Sequence, residues 1–559
     1  MSDDYFDIGD YRREVTTSSP EAQLWFDRGL AWTYAFNPEE GVHCFEKAAQ
    51  ADPQCAMAHW GIAFASGPNY NKAWKFFDPA DFEITLPYAH AALERARAVA
   101  GNATPFERAL IEALATRFPA TATDDLQEFH RLNVAYAEAM RAVYHAHPDD
   151  FDAAALFCDA LICVSPRLLW DLDTGEPIGY GTVDAREVLE AALARPGAEL
   201  HPVLNHIYIH LMEMSPYPEL ALPAADQLRR LSPDGSHLMH MATHIDNACG
   251  DWRRVVDSNL DAADADDKYF ARAQRPIGWY TLYRAHYLMV AAYGGMMSGK
   301  SRVAIQSAHR LNKILTPEVL ATSSPPLAHL CESYCTTLPH VLIRFGRWED
   351  IIKLELPEDR VLYSSTTAMI HYARGIAFSA LRRIPEAEKA REEFIAALAA
   401  VPEGRFNSAP VREVEVLAIA AKMLDGELEY RKGNFDTAFA TLRQAIAIED
   451  ALPYSDPPGW LQPVRHAYCA LLMEQGRLEE AAAQYRLDLG LDRALSRRRI
   501  RPNNVWSLHG LHECLTRLGR KDEADELTLR RDIAVASADV KIAASCFCRL
   551  SAFDQSPAG

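Results

Sequence analysis

Histidines are concentrated between His201 and His244, a stretch that holds six of the 20 in the chain. Five of them, with one glutamate, form two rows: His206, His210 and Glu213, then His237, His240 and His244. Residues spaced by three, four and seven positions share one face of an α-helix. Imidazole nitrogen suits zinc, copper, iron and nickel ions. The spacing therefore predicts two helices that bind a transition metal between them.

The two rows offer more donors than one tetrahedral ion needs. Some histidines therefore serve to orient the others, or the site holds two ions. The spacing does not match the His-Glu-x-x-His signature of zinc proteases, nor the Glu-x-x-His repeat of di-iron bundles. Glu213 is assigned a catalytic role, as a metal ligand or proton shuttle in oxidation, or as the general base of a zinc hydrolase.

Further candidates flank the two rows. A helical stretch from Tyr280 to Tyr287 brings Tyr283 and His286 onto one face, so we expect Tyr283 to be catalytic and His286 to be a further metal ligand. Asp246 follows His244 by two residues and could orient a ligand or contact the substrate.

Two irregular segments supply candidate substrate contacts. Asn69 and Tyr70 lie in a Pro- and Gly-containing segment that could line a pocket. Arg465 and His466 open a helix after a proline-rich loop. Because arginine favours bidentate contact with carboxylates, this pair could bind an anionic group of the substrate.

The elements that carry the two rows must be buried. Apolar residues fill the remaining faces of the predicted helices 204–214 and 237–245. A third predicted helix, 218–231, separates them. Because elements two apart in sequence pack side by side in a helical-repeat stack, the rows are expected to face each other.

Repeats of about 34 residues place these helices in an all-α fold. In the first repeat, the small, aromatic, alanine and proline positions of the tetratricopeptide (TPR) pattern are occupied by Gly29, Phe45, Ala48 and Pro53. Glycine-containing turns recur between helix pairs: Gly250, Gly346, Gly433 and Gly476. The pattern predicts a TPR-like superhelix, an α-solenoid, interrupted by irregular inserts at 67–88, 164–183, 316–328 and 449–463.

The predicted organisation follows from these repeats. It comprises an N-terminal extension at 1–21, N-terminal helical repeats at 22–200, a histidine-rich central section at 201–300, C-terminal TPR-like repeats at 301–550 and a tail at 551–559.

Composition limits the possible partners. The net charge of −20 argues against binding to nucleic acid or to an anionic membrane surface. No apolar run reaches the roughly 18 residues of a membrane span. The acidic N-terminus is unlike a signal peptide. The 11 cysteines are scattered and their number is odd, which favours a reduced, cytoplasmic protein. Nucleotide-binding motifs are absent, so no nucleotide cofactor is expected. A homo-oligomer is possible.

Several blocks together resemble a family of bacterial and fungal proteins known as TPR-domain proteins. The blocks are Trp60-Gly-Ile-Ala, Gly67-Pro-Asn69-Tyr70-Asn71, Trp170-Asp171, the two histidine rows, Arg344-Phe-Gly-Arg-Trp348, and the segment from Glu449 to Trp460 with Pro463-Val-Arg465-His466. The resemblance implies a helical-repeat fold and groups both histidine rows into one motif. The family has no settled activity. Its members tend to carry an aromatic residue where this chain has Asp246.

The sequence therefore predicts a metal-dependent enzyme that acts on a small molecule. An oxygen-activating oxidoreductase with copper or iron is favoured, because the donors are mainly imidazoles and tyrosines lie close by in sequence. A zinc-dependent hydrolase at the same site is one alternative. A non-enzymatic TPR scaffold that binds a peptide or protein is the other.

Overall fold

The computed structural model describes residues 5–119, 123–273 and 275–553, and these residues are almost entirely helical. The described strands are Phe406–Ser408 (β1) and Val411–Arg412 (β2), which pair antiparallel in a small hairpin. Short 3-10 turns lie at Trp74–Phe76, Ala100–Asn102, Ala198–Leu200, Pro218–Ala221, Glu332–Thr336 and Leu550–Ala552. The predicted all-α fold of TPR type is confirmed.

The helices of the first half of the chain follow one another through short connections. They are α1 (Pro20–Tyr34), α2 (Pro38–Ala51), α3 (Ala56–Ser66), α4 (Pro79–Val99), α5 (Pro105–Ala115), α6 (Leu126–Ala146), α7 (Phe151–Ile162), α8 (Thr182–Leu193), α9 (Pro202–Met212), α10 (Leu222–Leu231), α11 (Ser236–Cys249), α12 (Trp252–Ala273) and α13 (Tyr280–Ser298).

The second half continues in the same manner. Its helices are α14 (Ser301–Ile314), α15 (Pro317–Leu320), α16 (Leu327–Cys331), α17 (Thr337–Arg344), α18 (Trp348–Ile352), α19 (Ser364–Ala380), α20 (Ile384–Leu398), α21 (Glu413–Arg431), α22 (Phe435–Ala451), α23 (Val464–Glu474), α24 (Leu478–Asp488), α25 (Val505–Arg517) and α26 (Lys521–Ser537). Consecutive helices such as α19 and α20, or α21 and α22, pack as pairs.

Small residues let consecutive helices approach closely. The Phe45 ring of α2 lies against Gly29 of α1 and Gly61 of α3, where an added Cβ would come within 2.8 Å and 2.4 Å of that ring. The same exchange of glycine for a large partner recurs between Gly510 and Tyr485 in α25 and α24. This complementarity is the physical basis of the repeat pattern in the sequence.

Glycine ends the first helix of several pairs in the left-handed conformation. Gly250, Gly346, Gly433 and Gly476 have φ values from 62° to 86°. A residue without a Cβ adopts this conformation at little cost, and the next helix begins two residues after the glycine. The prediction for these turns is confirmed.

The chain divides into two compact units, each made of two segments of the sequence. The first unit comprises the residues up to Ile245 together with Asp261–Tyr280; the second comprises Asp246–Leu260 and the residues from Thr281 onward. The five-section division expected from the repeats stays a prediction, and the end of its tail, 554–559, lies outside the described residues. None of the described helices is long and apolar enough to cross a membrane.

The N-terminal extension is packed against the first unit although it forms no helix. The Tyr11 hydroxyl donates to the Asp152 carboxylate at 2.6 Å, and the backbone N–H of Asp7 donates to Asp234 at 2.6 Å. Thr16 donates to Glu107 through its N–H and its hydroxyl at 2.7 and 2.6 Å. Residues 5–18 therefore form a strap across several helices.

Candidate metal centre

Helix α9 carries the first histidine row and is buried along its whole length, from Pro202 to Met212. Pro202 occupies the first helical turn, where its missing N–H costs nothing. His201 precedes it, and its Nδ1 accepts the N–H of Leu204 at 3.3 Å as a cap. The predicted helix 204–214 is thus confirmed, with both ends two residues earlier in the chain. His206 and His210 project from it one turn apart.

Helix α11 carries the second row and brings it against the first. The ring centroids of His206 and His237 lie 5.1 Å apart. Donor atoms of His206, His210 and His237 all lie within 4.8 Å of one another, and all three residues are buried. The predicted meeting of the two rows is confirmed for these three histidines, which we call the triad.

The triad histidines of α9 are each held from behind through Nδ1. The Nδ1 of His206 lies 3.1 Å from the carbonyl oxygen of Tyr34, and the Nδ1 of His210 lies 3.0 Å from Glu213 Oε1. Because these oxygens accept, each Nδ1 carries the proton and each Nε2 keeps its lone pair. Both Nε2 atoms are buried and have no hydrogen-bond partner among the described residues. Metal-binding histidines typically show this arrangement.

Glu213 connects the two rows. Its Oε1 accepts from His210, and its Oε2 accepts a short hydrogen bond from Nδ1 of His244 on α11. The Nε2 atoms of His244 and His240 lie 3.1 Å apart, which forms a second pair of donors beside the triad. Both carboxylate oxygens of Glu213 are therefore used to orient imidazoles.

Burial keeps the triad in the metal-binding protonation state. It lowers the pKa of His206 and His237 well below the ordinary value, and neighbouring imidazoles add to the effect. Burial also lowers the pKa of His210, although Glu213 opposes this. For Glu213 burial acts to raise the pKa, but His244 and His210 outweigh it and hold the pKa well below its usual range. Neutral imidazoles beside an ionised carboxylate favour metal binding.

An aromatic ring packs against all three triad histidines. The Phe36 centroid lies 4.5 Å from that of His206, 5.0 Å from that of His237 and 5.8 Å from that of His210. Phe36 follows α1 with a φ of 53°, in the left-handed region that glycine usually occupies at a helix end. An aromatic residue there costs about 1–2 kcal/mol.

A second residue with a left-handed backbone, Arg167, contacts two residues that pack against the triad. Arg167 has a φ of 63°, and within the described part of the first unit only it and Phe36 combine a side chain with a positive φ. The backbone N–H of Arg167 donates to the Tyr70 hydroxyl at 3.1 Å, and the Tyr70 ring lies 4.3 Å from His210. The Arg167 guanidinium donates to Asn71 at 3.2 Å, and Asn71 Nδ2 lies 3.5 Å from His237 Nε2. Backbone strain of this kind often accompanies functional sites.

A small cavity of about 30 Å³ lies beside His206. Its lining includes Phe36, Asn69 and Asp159. Burial raises the pKa of the Asp159 carboxyl to about 6. The volume is enough for one or two water molecules, so the cavity could bring a small molecule next to the triad.

The predicted substrate residues of the first unit lie near this cavity. Asn69 lines it and also shapes the local turn, since its Oδ1 accepts the N–H groups of Asn71 and Lys72 at 2.9 and 2.8 Å. Tyr70 contacts the triad through its ring rather than through its hydroxyl.

Five predicted site residues belong to the second unit. Asp246 is fully buried on α11, with its carboxylate 3.9 Å from Arg254. On α13, Tyr283 stacks on Tyr287 with centroids 6.4 Å apart, and the buried His286 lies 6.0 Å from the Tyr334 ring. The roles assigned to these three stay predictions.

The remaining two, Arg465 and His466, contact other side chains of the second unit. Two nitrogens of Arg465 donate to Asp450 at 2.7 and 2.6 Å. His466 contacts Arg344 through Nδ1 and Asp488 through Nε2, both at 3.0 Å. The predicted contact of Arg465 and His466 with an anionic substrate group stays a prediction, and in this structure the carboxylate that Arg465 contacts belongs to Asp450.

Sequence reasoning missed Phe36, Arg167 and the Tyr34 carbonyl. All three lie far from the histidine rows along the chain, and only the fold brings them there. Phe36 directly precedes Asn37-Pro38, where a helix ends. An aromatic residue at such a position was the one local signal in the sequence that Phe36 could have a special role.

No protein-family model matches the chain, and no curated protein matches it. Among solved structures, a monomeric mutant of IFIT1 with Gppp-AAAA is 12% identical with a TM-score of 0.32, over 91% of this chain and 99% of that one. Naa15/Naa10 bound to HypK-THB is 12% identical with a TM-score of 0.21, over 96% of this chain and 73% of that one.

Proposed function

We propose that the protein is a metal-dependent enzyme whose ion is held by His206, His210 and His237. The observation that carries this proposal is the pair of buried Nε2 atoms on His206 and His210, which have no partner among the described residues. A buried polar nitrogen without a partner costs about 1–3 kcal/mol, and binding to an ion would remove that cost. Three protein ligands are also the number found in catalytic zinc sites, which keep a fourth position open.

Within this proposal we favour oxidation of a small molecule. A copper or iron ion at an imidazole site supplies the ability to activate dioxygen. The chain contributes a site that is closed by Phe36 and Tyr70, and imidazoles whose orientation is fixed by the Tyr34 carbonyl and Glu213. The cavity beside His206 is of a size for a very small reactant.

Hydrolysis at a zinc ion is less well supported. The predicted general base of a hydrolase, Glu213, already accepts hydrogen bonds from His210 and His244 with its two oxygens. A base must be within reach of the water that it deprotonates. We therefore propose that Glu213 positions the histidines rather than reacting itself.

We further propose that the protein works in a reducing compartment such as the cytoplasm. Nine of the described cysteines have free thiols, eight of them buried. Cys546 and Cys548 form a disulfide in this structure. Alkylation of the native and unfolded protein followed by mass spectrometry would count the free thiols; a fully oxidised protein would contradict the proposal.

The test is elemental analysis of the protein as purified, alone and as the double variant His206→Ala/His210→Ala. We expect stoichiometric copper or iron in the parent protein and almost none in the double variant. His340→Ala is the matched control, because His340 is an equally buried histidine of the second unit. Zinc in a colourless protein would count against oxidation.

The metal content of the parent protein and of the double variant decides between a metal site and a scaffold. If the parent protein takes up no transition metal after reconstitution, or if the double variant keeps the same metal content, the triad is not a metal site. A helical-repeat scaffold that binds a peptide or protein would then be the better interpretation.

A further inference from the structure

A second site lies in the second unit, in an open groove formed by α19, α20 and the segment before α19. The groove encloses about 500 Å³. This volume falls within the roughly 300–1,000 Å³ of small-molecule pockets, whereas the cavity beside His206 is far smaller. The groove lies within the second unit, and no triad histidine lines it.

One wall of the groove is a polar stripe on α19. Its members are spaced by three and four residues, so they share one face of the helix: Ser364, Thr367, His371 and Arg374. The first three are buried. A stripe of this kind inside a groove is unusual for a helix face that only packs against another helix, because packing faces are apolar.

The opposite wall is made of small side chains. Ala396, Ala397 and Ala400 line it from the end of α20 and just after it. Larger side chains at these positions would fill the space. The alanines therefore create the volume, and Leu356 adds an apolar surface at its edge.

Positive charge predominates in the lining. Arg360 and Arg374 contribute guanidinium groups, and Glu393 contributes the one carboxylate of the lining. That carboxylate lies at the polar stripe, with Glu393 Oε2 3.1 Å from Nδ1 of His371. The chain as a whole has a net charge of −20, so a positive groove is a local departure from its average.

Arg374 is held in a defined position with donors to spare. Its NH2 donates to the carbonyl oxygen of Leu354 at 2.5 Å. Its Nε is buried and has no hydrogen-bond partner among the described residues. A guanidinium group presents several donors in a planar fork that matches carboxylate and phosphate oxygens.

From these observations we propose that the groove binds a small organic oxyanion. Arg374 and Arg360 contact its carboxylate or phosphate group, and the apolar body of the ligand lies against Leu356 and the alanine wall. The shared chemistry is a compact oxyanion joined to an apolar group. This function is separate from the metal centre.

The test uses phenylphosphate and benzoate, with neutral benzamide as the comparison, titrated into the full-length protein by isothermal calorimetry at low ionic strength. We expect at least one anion to bind and benzamide not to bind. Preference for phenylphosphate would indicate a phosphate ester as the natural ligand, and preference for benzoate would indicate a carboxylate.

Variants assign the binding to the groove. Arg374→Gln should weaken it by about tenfold or more, since a hydrogen bond to a charged group is lost. Ala397→Leu should abolish it by filling the space without changing any charge. Arg383→Gln is the matched control, because this exposed arginine pairs with Glu386 and does not line the groove.

Three results would overturn the proposal. They are the failure of both anions to bind at millimolar concentration, equal binding of benzamide, and equal loss of binding in Arg374→Gln and Arg383→Gln. Circular dichroism melting curves of each variant establish that a loss of binding does not come from unfolding.

Discussion

Each unit contains a buried carboxylate that accepts a hydrogen bond from histidine: Glu213 in the first unit and Asp488 in the second. Asp488 is fully buried and accepts from His466 at 3.0 Å, Arg501 at 3.2 Å, Asn504 at 2.9 Å and Ser507 at 2.6 Å. The imidazole of His466 is engaged at both ring nitrogens. Around Glu213, by contrast, His206 and His210 are each engaged at Nδ1, while each Nε2 lacks a partner among the described residues.

The difference separates a structural cluster from a candidate binding site. In the Asp488 cluster, positive and negative groups neutralise each other, and further hydrogen bonds complete the shell around the carboxylate. In the triad, by contrast, Glu213 holds His210 and the Tyr34 carbonyl holds His206, and the donor atoms of all three histidines lie within 4.8 Å of one another. Burial of histidine is common to both clusters, so burial alone does not identify a site. The presence of converging unpaired nitrogens does.

Removing the charge of Asp488 should give the largest effect on stability. Asp488→Asn leaves the buried Arg501 with Glu449 as its remaining carboxylate partner and removes the charged acceptor of His466, Asn504 and Ser507, which costs about 3–5 kcal/mol. Urea unfolding monitored by circular dichroism measures the change. Asp425→Asn is the control, because the Asp425–Arg391 pair is partly exposed and should contribute below about 1 kcal/mol. Equal effects of the two substitutions would show that the Asp488 cluster is not a structural ion-pair network.

His340 offers a histidine that belongs to neither cluster. Burial lowers the pKa of His340 to about 3, and the pKa of an unfolded histidine is about 6.5. Between these values the unfolded chain binds a proton that the folded protein does not. The free energy of unfolding should therefore fall as pH drops below about 6.5, by about 1.4 kcal/mol per pH unit from this group, and should not change through it above 6.5.

The comparison of His340→Gln with the parent protein measures this contribution. Unfolding free energies from pH 7.5 to 4.5 should fall less steeply in the variant, because glutamine does not titrate. Parallel curves would mean that His340 titrates in the folded protein as it does in the unfolded chain, which would contradict its burial as a neutral imidazole.

Glu213 should influence metal affinity rather than stability alone. In Glu213→Gln a single carbonyl oxygen replaces two carboxylate oxygens, so His210 and His244 can no longer both donate to it. Substitution of such supporting residues typically weakens metal binding by about 10–100-fold. Competition with a chromophoric chelator measures the change.

Glu190→Gln is a matched control for Glu213. Glu190 also contacts α9, since it accepts from the Tyr208 hydroxyl at 3.1 Å, but no hydrogen bond joins it to a triad histidine. Its substitution should leave metal affinity unchanged. If both substitutions weaken binding equally, the effect comes from disturbance of α9 and not from the orientation of the histidines.

The smallest effects concern the left-handed residues. Arg382 has a φ of 58° at an exposed turn of the second unit, so Arg382→Gly should raise the free energy of unfolding by about 1 kcal/mol without affecting metal binding. Phe36→Gly relieves the same strain but removes the ring that packs on the triad, so metal affinity should fall several-fold. Unchanged affinity in Phe36→Gly would show that the ring has no part in positioning the triad.

The histidine rows were predictable because their spacing reports the face of a helix. Burial of α9 and α11 followed from the apolar residues between the histidines, and their meeting followed from the order of helices in a repeat. The way in which Glu213 joins His210 to His244 was not predictable, since side-chain rotamers decide it. Tyr34 and Phe36 could not be assigned either, because a contact across more than 160 residues leaves no periodic trace in one sequence.

Charge pairing shows the same limit in the second unit. Arg465 had the residue type and position expected for an anion-binding group, yet Asp450 engages it. The groove residue Arg374 carried no comparable sequence signal. Tertiary contacts decide which arginines form ion pairs within the fold. The spacing of residues along the sequence does not predict those contacts.

X-ray absorption at the metal edge of the protein as purified tests the central claim most directly, because it reports the donor atoms themselves. The account predicts a transition metal with about three imidazole nitrogens at roughly 2.0–2.1 Å and no sulfur scatterer. The imidazole signal should disappear in His206→Ala/His210→Ala and persist in His340→Ala. A spectrum dominated by sulfur, or one that the double substitution leaves unchanged, would contradict the assignment of the triad as the metal centre.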